Sequence, residues 1–312
     1  MSGTGRRAVV AALLSNLGVA TTKFVGFLIT GSSALLAETL HSIADTGNQA
    51  LLLLGARRAR EAPSPARPFG RGRERYFWAF VVGLVLFGLG GVFSLYEGVR
   101  KLRAGEHAVT SPIVGVSLLL VAFVIEGLSL RTAVAEARTI RPAGQSWWRF
   151  IRRTRNPEVT VVLLEDGAAI VGLTLALAGV GAAWATGDPV WDAAATIGIG
   201  VLLCLVAGLL TTEMKSLLIG ETVSDAMSQA LWAAIDGVDG VDRVLNLRTE
   251  HIGPEQILVC TKVAVTGPAD LDRVIDVIDA VEAAVVGLMP NTLTCYVEPD
   301  RYDAARLDVE WT

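Results

Sequence analysis

The chain is short of the residues on which soluble, disulfide-knit and nucleotide-hydrolysing proteins depend. Charged residues make up only 19% of 312 positions, against 52% hydrophobic, and the mean hydropathy is +0.50. Soluble domains carry roughly 25% charged residues, so this composition excludes an ordinary soluble globular protein. Three cysteines, Cys204, Cys260 and Cys295, exclude a disulfide scaffold. No G-x-x-x-x-G-K-[ST] run is present to cradle a nucleotide phosphate, and no H-E-x-x-H run to build a metalloprotease centre. The arginines are not gathered into a nucleic-acid face. They sit in short segments between apolar runs, where they read as topology signals, and no nucleic-acid partner is expected.

What is present is an oily, basic front and a polar, acidic tail. From Glu213 onward there are 18 acidic residues against 7 basic; before it, 13 acidic against 20 basic. In the front, apolar stretches recur at about 8–30, 34–56, 76–99, 111–135, 157–182 and 189–211. Each reaches the ~20 residues needed to cross the hydrocarbon of a bilayer. The first lacks a clear cleavage site and runs directly into the second, so it reads as a span and not as a signal peptide. Arg6 and Arg7 precede the first span, seven arginines lie between spans two and three, and seven more accompany the segment between spans four and five. The opposite loops are poor in them, which places both termini and the tail in the cytoplasm. A six-helix transmembrane domain over 1–212 is expected. The lack of a targeting peptide fits a bacterial plasma membrane.

The tail returns to soluble periodicity. A helix at about 224–236 precedes strands at 244–249 and 257–265, separated by a turn at Gly253-Pro254; a helix with Leu271, Val274, Ile275, Ile278, Val281 and Val285 on one face leads to a last strand at 292–297. This order predicts a small cytoplasmic α+β domain over 213–300, one helical layer on a short sheet, with a disordered end at 301–312.

Ionisable residues inside spans are costly and are therefore candidates for function. Span two carries Glu38, His41 and Asp45; the i, i+4 spacing of His41 and Asp45 puts an imidazole and a carboxylate on one face, one turn apart. Span five carries Glu165 and Asp166. Span one holds Asn16 and Lys23, span four Glu126, and Asp192 opens span six. A nitrogen ligand with carboxylate oxygens suits zinc and its borderline neighbours. The competing structural reading is an ion pair, such as Lys23 with a nearby acid; it is preferred for Glu126, and for Asp192 as a helix cap. Glu97 beside Arg100 and Lys101 reads as a solvated pair at the interface.

The segments LLAETLHSIADTGNQALLLLG (35–55), PFGRGRERYFWAFVVG (68–83), LLEDGAAIVGL (163–173), SLLIGE (216–221), RTEHIGPEQILV (248–259) and CYVEPD (295–300), in this order, resemble the cation diffusion facilitators, in the branch with HxxxD in span two. That resemblance implies a six-span bundle with a ferredoxin-like cytoplasmic tail, a homodimer, and a transport site with two ligands from span two and two from span five. Carried over by position, these are His41, Asp45 and Asp166. Four residues before Asp166, where the family usually has His or Asp, stands Val162. The fourth ligand is then water or another side chain. Glu165 is adjacent but lies about 100° away on an ideal helix, so a local rotation or distortion would have to bring it in; Asn16 and Asn48 are weaker candidates. The tail has one histidine, His251, with Glu298, Cys260 and Cys295 as further candidate donors; the two cysteines read more simply as apolar filling.

With no nucleotide motif, transport must run on gradients. Ligands must be deprotonated to hold a metal, so metal and protons compete. The expectation is a secondary transporter, no enzyme and without a resident cofactor, exchanging a divalent cation, Zn2+ first, for protons and exporting the metal by alternating access. Fe2+, Co2+, Cd2+ or Mn2+ are the alternative cargoes. Readings of other classes are an intramembrane metal-dependent hydrolase, with Glu165 or Glu38 as base, and a metal sensor using the tail.

Overall fold

A computed structural model of the chain describes residues 3–104, 112–254, 256–267, 270–290 and 292–302, with side chains of the first helix described from Leu17 onward. The side chain of Asn16, and the residues beyond Tyr302 expected to be disordered, lie outside this description. The chain divides into two compact units, one of residues 1–58 and 74–215, the other of residues 59–73 and 216–312.

The first unit is helical. Helix α1 (Gly3–Thr30) ends at Gly31, whose φ of 68° lets the chain turn while its N–H bonds to Phe27 O, and α2 (Ser33–Arg58) starts two residues later. Helices α3 (Glu74–Val85) and α4 (Phe93–Ala104) are joined without a break by a π-helical stretch, Leu86–Val92. Then follow α5 (Pro112–Ile140), the short α6 (Trp147–Arg153), α7 (Pro157–Thr186) and α8 (Val190–Ile219). Among the described residues, four helical segments are long and apolar enough to cross a membrane: Glu74–Arg103, Ile113–Ile140, Pro157–Thr186 and Val190–Ile219. Helix α2 has the length, but Glu38, Asp45, Arg57 and Arg58 dilute its apolar content, and α1 is apolar over the shorter stretch Leu17–Thr30.

Large apolar side chains such as Leu28, Ile113, Leu128 and Leu205 point outward, as they do in a helix bundle solvated by lipid. The inner core is drawn from Leu35, Leu86, Leu119, Leu173, Ile199 and Leu203, with alanines between them. Small residues bring the backbones close, the usual packing of membrane helices. A Cβ on Gly91, in the π-helical stretch, would sit 2.5 Å from Cys204 Sγ, and one on Gly200 would sit 2.7 Å from Leu95 N. The third span therefore contains a π segment where α8 presses against it, which the plain apolar run did not announce. Likewise α6, capped by Ser146, occupies part of what reads in sequence as an arginine-rich loop; it buries Phe150 beside Ala137 and Leu163.

The second unit is a small α+β domain in the order α9 (Asp225–Asp236), β1 (Val241–Gly253), β2 (Gln256–Val265), α10 (Leu271–Leu288) and β3 (Thr292–Asp300). The sheet order is β1-β2-β3; β1 and β2 are antiparallel, and β2 and β3 parallel, joined through α10. This is a ferredoxin-like order with three strands among the described residues in place of four. Leu231 and Ile235 of α9 and Val277, Val281 and Val285 of α10 bury against Val244, Val259 and Val263 of the sheet. Strand β1 begins earlier and β3 runs further than the hydrophobic pattern predicts. Among the described residues β3 pairs with β2 alone, so the missing N–H of Pro299 costs no second ladder. Residues 59–73 belong to this unit: a Cβ on Gly72 would lie 2.7 Å from Ile252 O, and Arg73 pairs with Glu250.

Candidate metal site

Helix α2 aligns Glu38, His41, Asp45 and Asn48 at spacings of three, four and three, one continuous face. All four are buried, at 0%, 1%, 8% and 0% exposure. On α7, Glu165 and Asp166 are buried as well, at 5% and 8%. Asp45, Glu165 and Asp166 line one cavity of about 20 Å³, together with Glu126 of α5, Ser42 and Ser129. That is room for a water molecule or an ion, since about 10–15 Å³ suffices for one. Four carboxylates from three helices thus face one small space.

Glu165 and Asp166 both border it while keeping the separation of about 100° expected of adjacent residues on α7. Helix α7 lies against both α2 and α5, so two side chains about 100° apart serve the two neighbours. Glu165 Oε1 accepts from Asn48 Nδ2 of α2 at 2.8 Å, and Asp166 Oδ2 accepts from Ser129 Oγ of α5 at 2.9 Å. His41 is one turn from Asp45, its Nδ1 3.5 Å from Asp45 Oδ1, and it is not among the residues lining the cavity. Both ring nitrogens of His41 and Asp45 Oδ1 are buried without a hydrogen-bond partner. Buried polar atoms are nearly always satisfied, so open donors and acceptors beside a cavity are what a charged ligand would complete. Among the described residues no group of three or more His, Cys, Asp or Glu side chains stands close enough together to hold a metal ion as placed. Val162 offers no donor atom.

Glu126, expected from sequence to be structural, borders the cavity, and Asn48, a weaker candidate from sequence, orients Glu165. The signal for Asn48 was available in its register with Glu38, His41 and Asp45; nothing in α5 alone pointed Glu126 toward α2 and α7. Lys23 is paired as the structural alternative expected: its ammonium lies 3.3 Å from Glu38 Oε2, 2.7 Å from Ser42 Oγ and 3.5 Å from Glu126 Oε1. Asp192, expected to cap a helix start, lies in the first turn of α8, where Asp188 Oδ1 accepts from Val190 N instead. Asp192 accepts from Ser32 Oγ at 2.7 Å and pairs with Lys101 at 2.8 Å, fully buried, joining the α1–α2 turn, α4 and α8. Glu97 pairs with Arg100, as expected, but its side chain is buried, at 9% exposure, and not solvated.

In the tail, Cys260 aligns with Tyr296 and Cys295 with Val259, so on the parallel pair β2–β3 the two thiols fall on opposite faces. Cys295 packs into the core; Glu298 pairs with Lys262. His251 is buried at the end of β1, its N–H bonded to Glu221 O. Cys260 and Glu298 border one groove together with Lys262, whereas Cys295 faces the core and His251 is not among the groove's residues.

The family described as the cation efflux transmembrane domain matches residues 9–219. The human proton-coupled zinc antiporter SLC30A9, mitochondrial, is 30% identical over 252 residues, covering 80% of this chain and 44% of that protein. Metal tolerance protein C4 of Arabidopsis thaliana is 33% identical over 250 residues, 80% of this chain and 54% of that one. The magnetosome protein MamM of Paramagnetospirillum magneticum is 24% identical over 283 residues, 90% and 83% of the two chains. The chain spans about half the length of the first two relatives. A solved C-terminal domain of MamM aligns with 26% of this chain and all of its own, at 22% identity and a TM-score of 0.24.

Proposed function

From the premise that this chain belongs to the cation efflux family, we propose that it is a multi-pass membrane transporter of divalent metal, exchanging zinc for protons and exporting the metal from the cytoplasm. The observation that carries the reading is the buried cavity where Asp45 of α2 meets Glu165 and Asp166 of α7. His41, Asp45 and Asp166 are the proposed metal ligands, with Glu165 as the fourth in the place that Val162 leaves open. His41 adjoins the carboxylates of this set, its Nδ1 3.5 Å from Asp45 Oδ1. Imidazole with carboxylate oxygens is a donor set suited to zinc.

The chemistry supplies the coupling. The same lone pairs bind either Zn2+ or H+, so protons arriving from the far side displace the ion, and metal arriving from the cytoplasm displaces protons. Rocking of the bundle around this fixed point gives alternating access. The resemblance and the arginine distribution support six spans with both termini in the cytoplasm, and the resemblance supports a homodimer.

Reconstitution in vesicles tests this. Zinc-dependent proton flux is expected in the unaltered protein and is abolished in His41→Ala, Asp45→Ala and Asp166→Ala while the protein stays folded. Normal flux in the first two removes the site assignment. Retained zinc affinity in Glu165→Ala means that three protein ligands suffice, and competition with Fe2+, Co2+, Cd2+ and Mn2+ orders the cargoes.

A further inference from the structure

The cavity has a positive charge built into its wall. Lys23 is 1% exposed, and its ammonium touches two helices besides its own: Ser42 and Glu38 on α2 and Glu126 on α5. Ser42 and Glu126 both line the cavity, so the ammonium stands directly behind that part of the wall. We propose that Lys23 is a tethered counter-cation of the metal cavity, holding Glu126 as an additional carboxylate that an incoming divalent cation takes from it. This rests on the reading of the cavity as the transport site.

The geometry distinguishes the two glutamates. Glu38 is bonded to Lys23 through one oxygen at 3.3 Å, and its other oxygen, without a hydrogen-bond partner, is walled in by Gly172 of α7 so closely that a Cβ there would sit 2.8 Å away. It is 0% exposed, is not among the residues lining the cavity, and is the permanent partner. Glu126 is held at the longer distance of 3.5 Å, its side chain is 15% exposed, and it has the cavity beside it. It can exchange the ammonium for the ion while Lys23 keeps Ser42 and Glu38, so no charge is left buried alone. A fixed cation beside a divalent site weakens metal binding by repulsion across a medium of low dielectric constant. Lys23 therefore keeps the bound ion releasable, and Glu126 adds an acidic oxygen only when a cation of higher charge than the ammonium is present to claim it.

Calorimetric titration of the full chain in detergent with zinc alone distinguishes the outcomes. Lys23→Met is expected to bind zinc about tenfold more tightly than the unaltered protein, Lys23→Arg about equally, and Glu126→Gln about tenfold more weakly. A purely structural role for Lys23 predicts equal or weaker binding in Lys23→Met, and that result overturns the proposal; so does unchanged affinity in Glu126→Gln. Should Lys23→Met not fold, with Glu38 then left unpaired, the Glu126→Gln titration decides alone. Failure of the transport-site reading shows differently: the unaltered protein binds no zinc, or Asp45→Ala binds it normally.

Discussion

Lys101 Nζ lies 2.8 Å from Asp192 Oδ2, joining α4 to α8 with both side chains shut away from solvent, 4% and 0% exposed. The same ammonium donates to Gly31 O, and Ser32 donates to the second carboxylate oxygen, so the pair also holds the turn between α1 and α2. This is a polar clasp at the end of the bundle opposite the arginine-rich segments.

Breaking the clasp on one side leaves a buried charge unmatched. Lys101→Ala or Asp192→Ala is expected to destabilise the helical unit by about 3–5 kcal/mol, while Lys101→Met combined with Asp192→Leu recovers much of the loss. Thermal unfolding in detergent measures this. Equal melting of the single variants and the parent contradicts a clasp.

Asn48 orients Glu165 from α2 across 2.8 Å. Partners that orient metal ligands typically matter about 10–100-fold when removed. Asn48→Ala should therefore lower zinc affinity or flux by about that factor and leave the unfolding temperature within a few degrees of the parent. Unchanged zinc binding in the folded variant shows that Glu165 needs no such support.

Two glycines of α8 behave oppositely. A Cβ on Gly200 would meet Leu95 N at 2.7 Å and Gly91 O at 3.0 Å, atoms of backbone that cannot step aside, whereas Gly208 has nothing within 4 Å. Gly200→Ala is expected to cost about 1–3 kcal/mol by overpacking. Gly208→Ala should be neutral or stabilising by up to about 1 kcal/mol, from helix propensity. Comparison of the two melting curves checks both.

In the tail, burial first, and then the nearby Glu282 and Cys260, push the Cys295 thiol up from 9.0 to about 11. A raised thiol is neutral at pH 8, with only about a thousandth as thiolate, and the thiolate is the nucleophile. Alkylation of the folded chain should reach Cys260 well before Cys295, and the rate at Cys295 should climb until about pH 11. Because the folded value is the higher one, the neutral thiol stabilises the fold fully below pH 9 and that contribution fades as pH rises toward 11. Equal labelling of both thiols at pH 8 refutes this.

Much of the fold was legible in the residue order. The long apolar runs predict the helices because a bilayer-length helix must satisfy its own backbone, and length and hydropathy are local properties. The tail elements followed from the period of Val281 and Val285 and from the turn at Gly253-Pro254. His41, Asp45 and Asp166 stood out because charge inside an apolar run is visible in one dimension. The π-helical stretch at Leu86–Val92 and helix α6 were not legible, since they answer to packing against α8 and to the burial of Phe150.

By itself, then, the order of residues determined which stretches are oily, which carry charge, and which face of α2 holds Glu38, His41, Asp45 and Asn48; helical periodicity makes those facts intrinsic to each segment. The tertiary structure decided which of the charges meet. That Glu165 turns to Asn48 and Asp166 to Ser129, that Glu126 borders the same cavity, and that Lys23 and Lys101 serve different carboxylates follow from how α7 wedges between α2 and α5 and how α4 lies along α8. Neighbours across helices are set by packing, and packing is a property of the whole bundle.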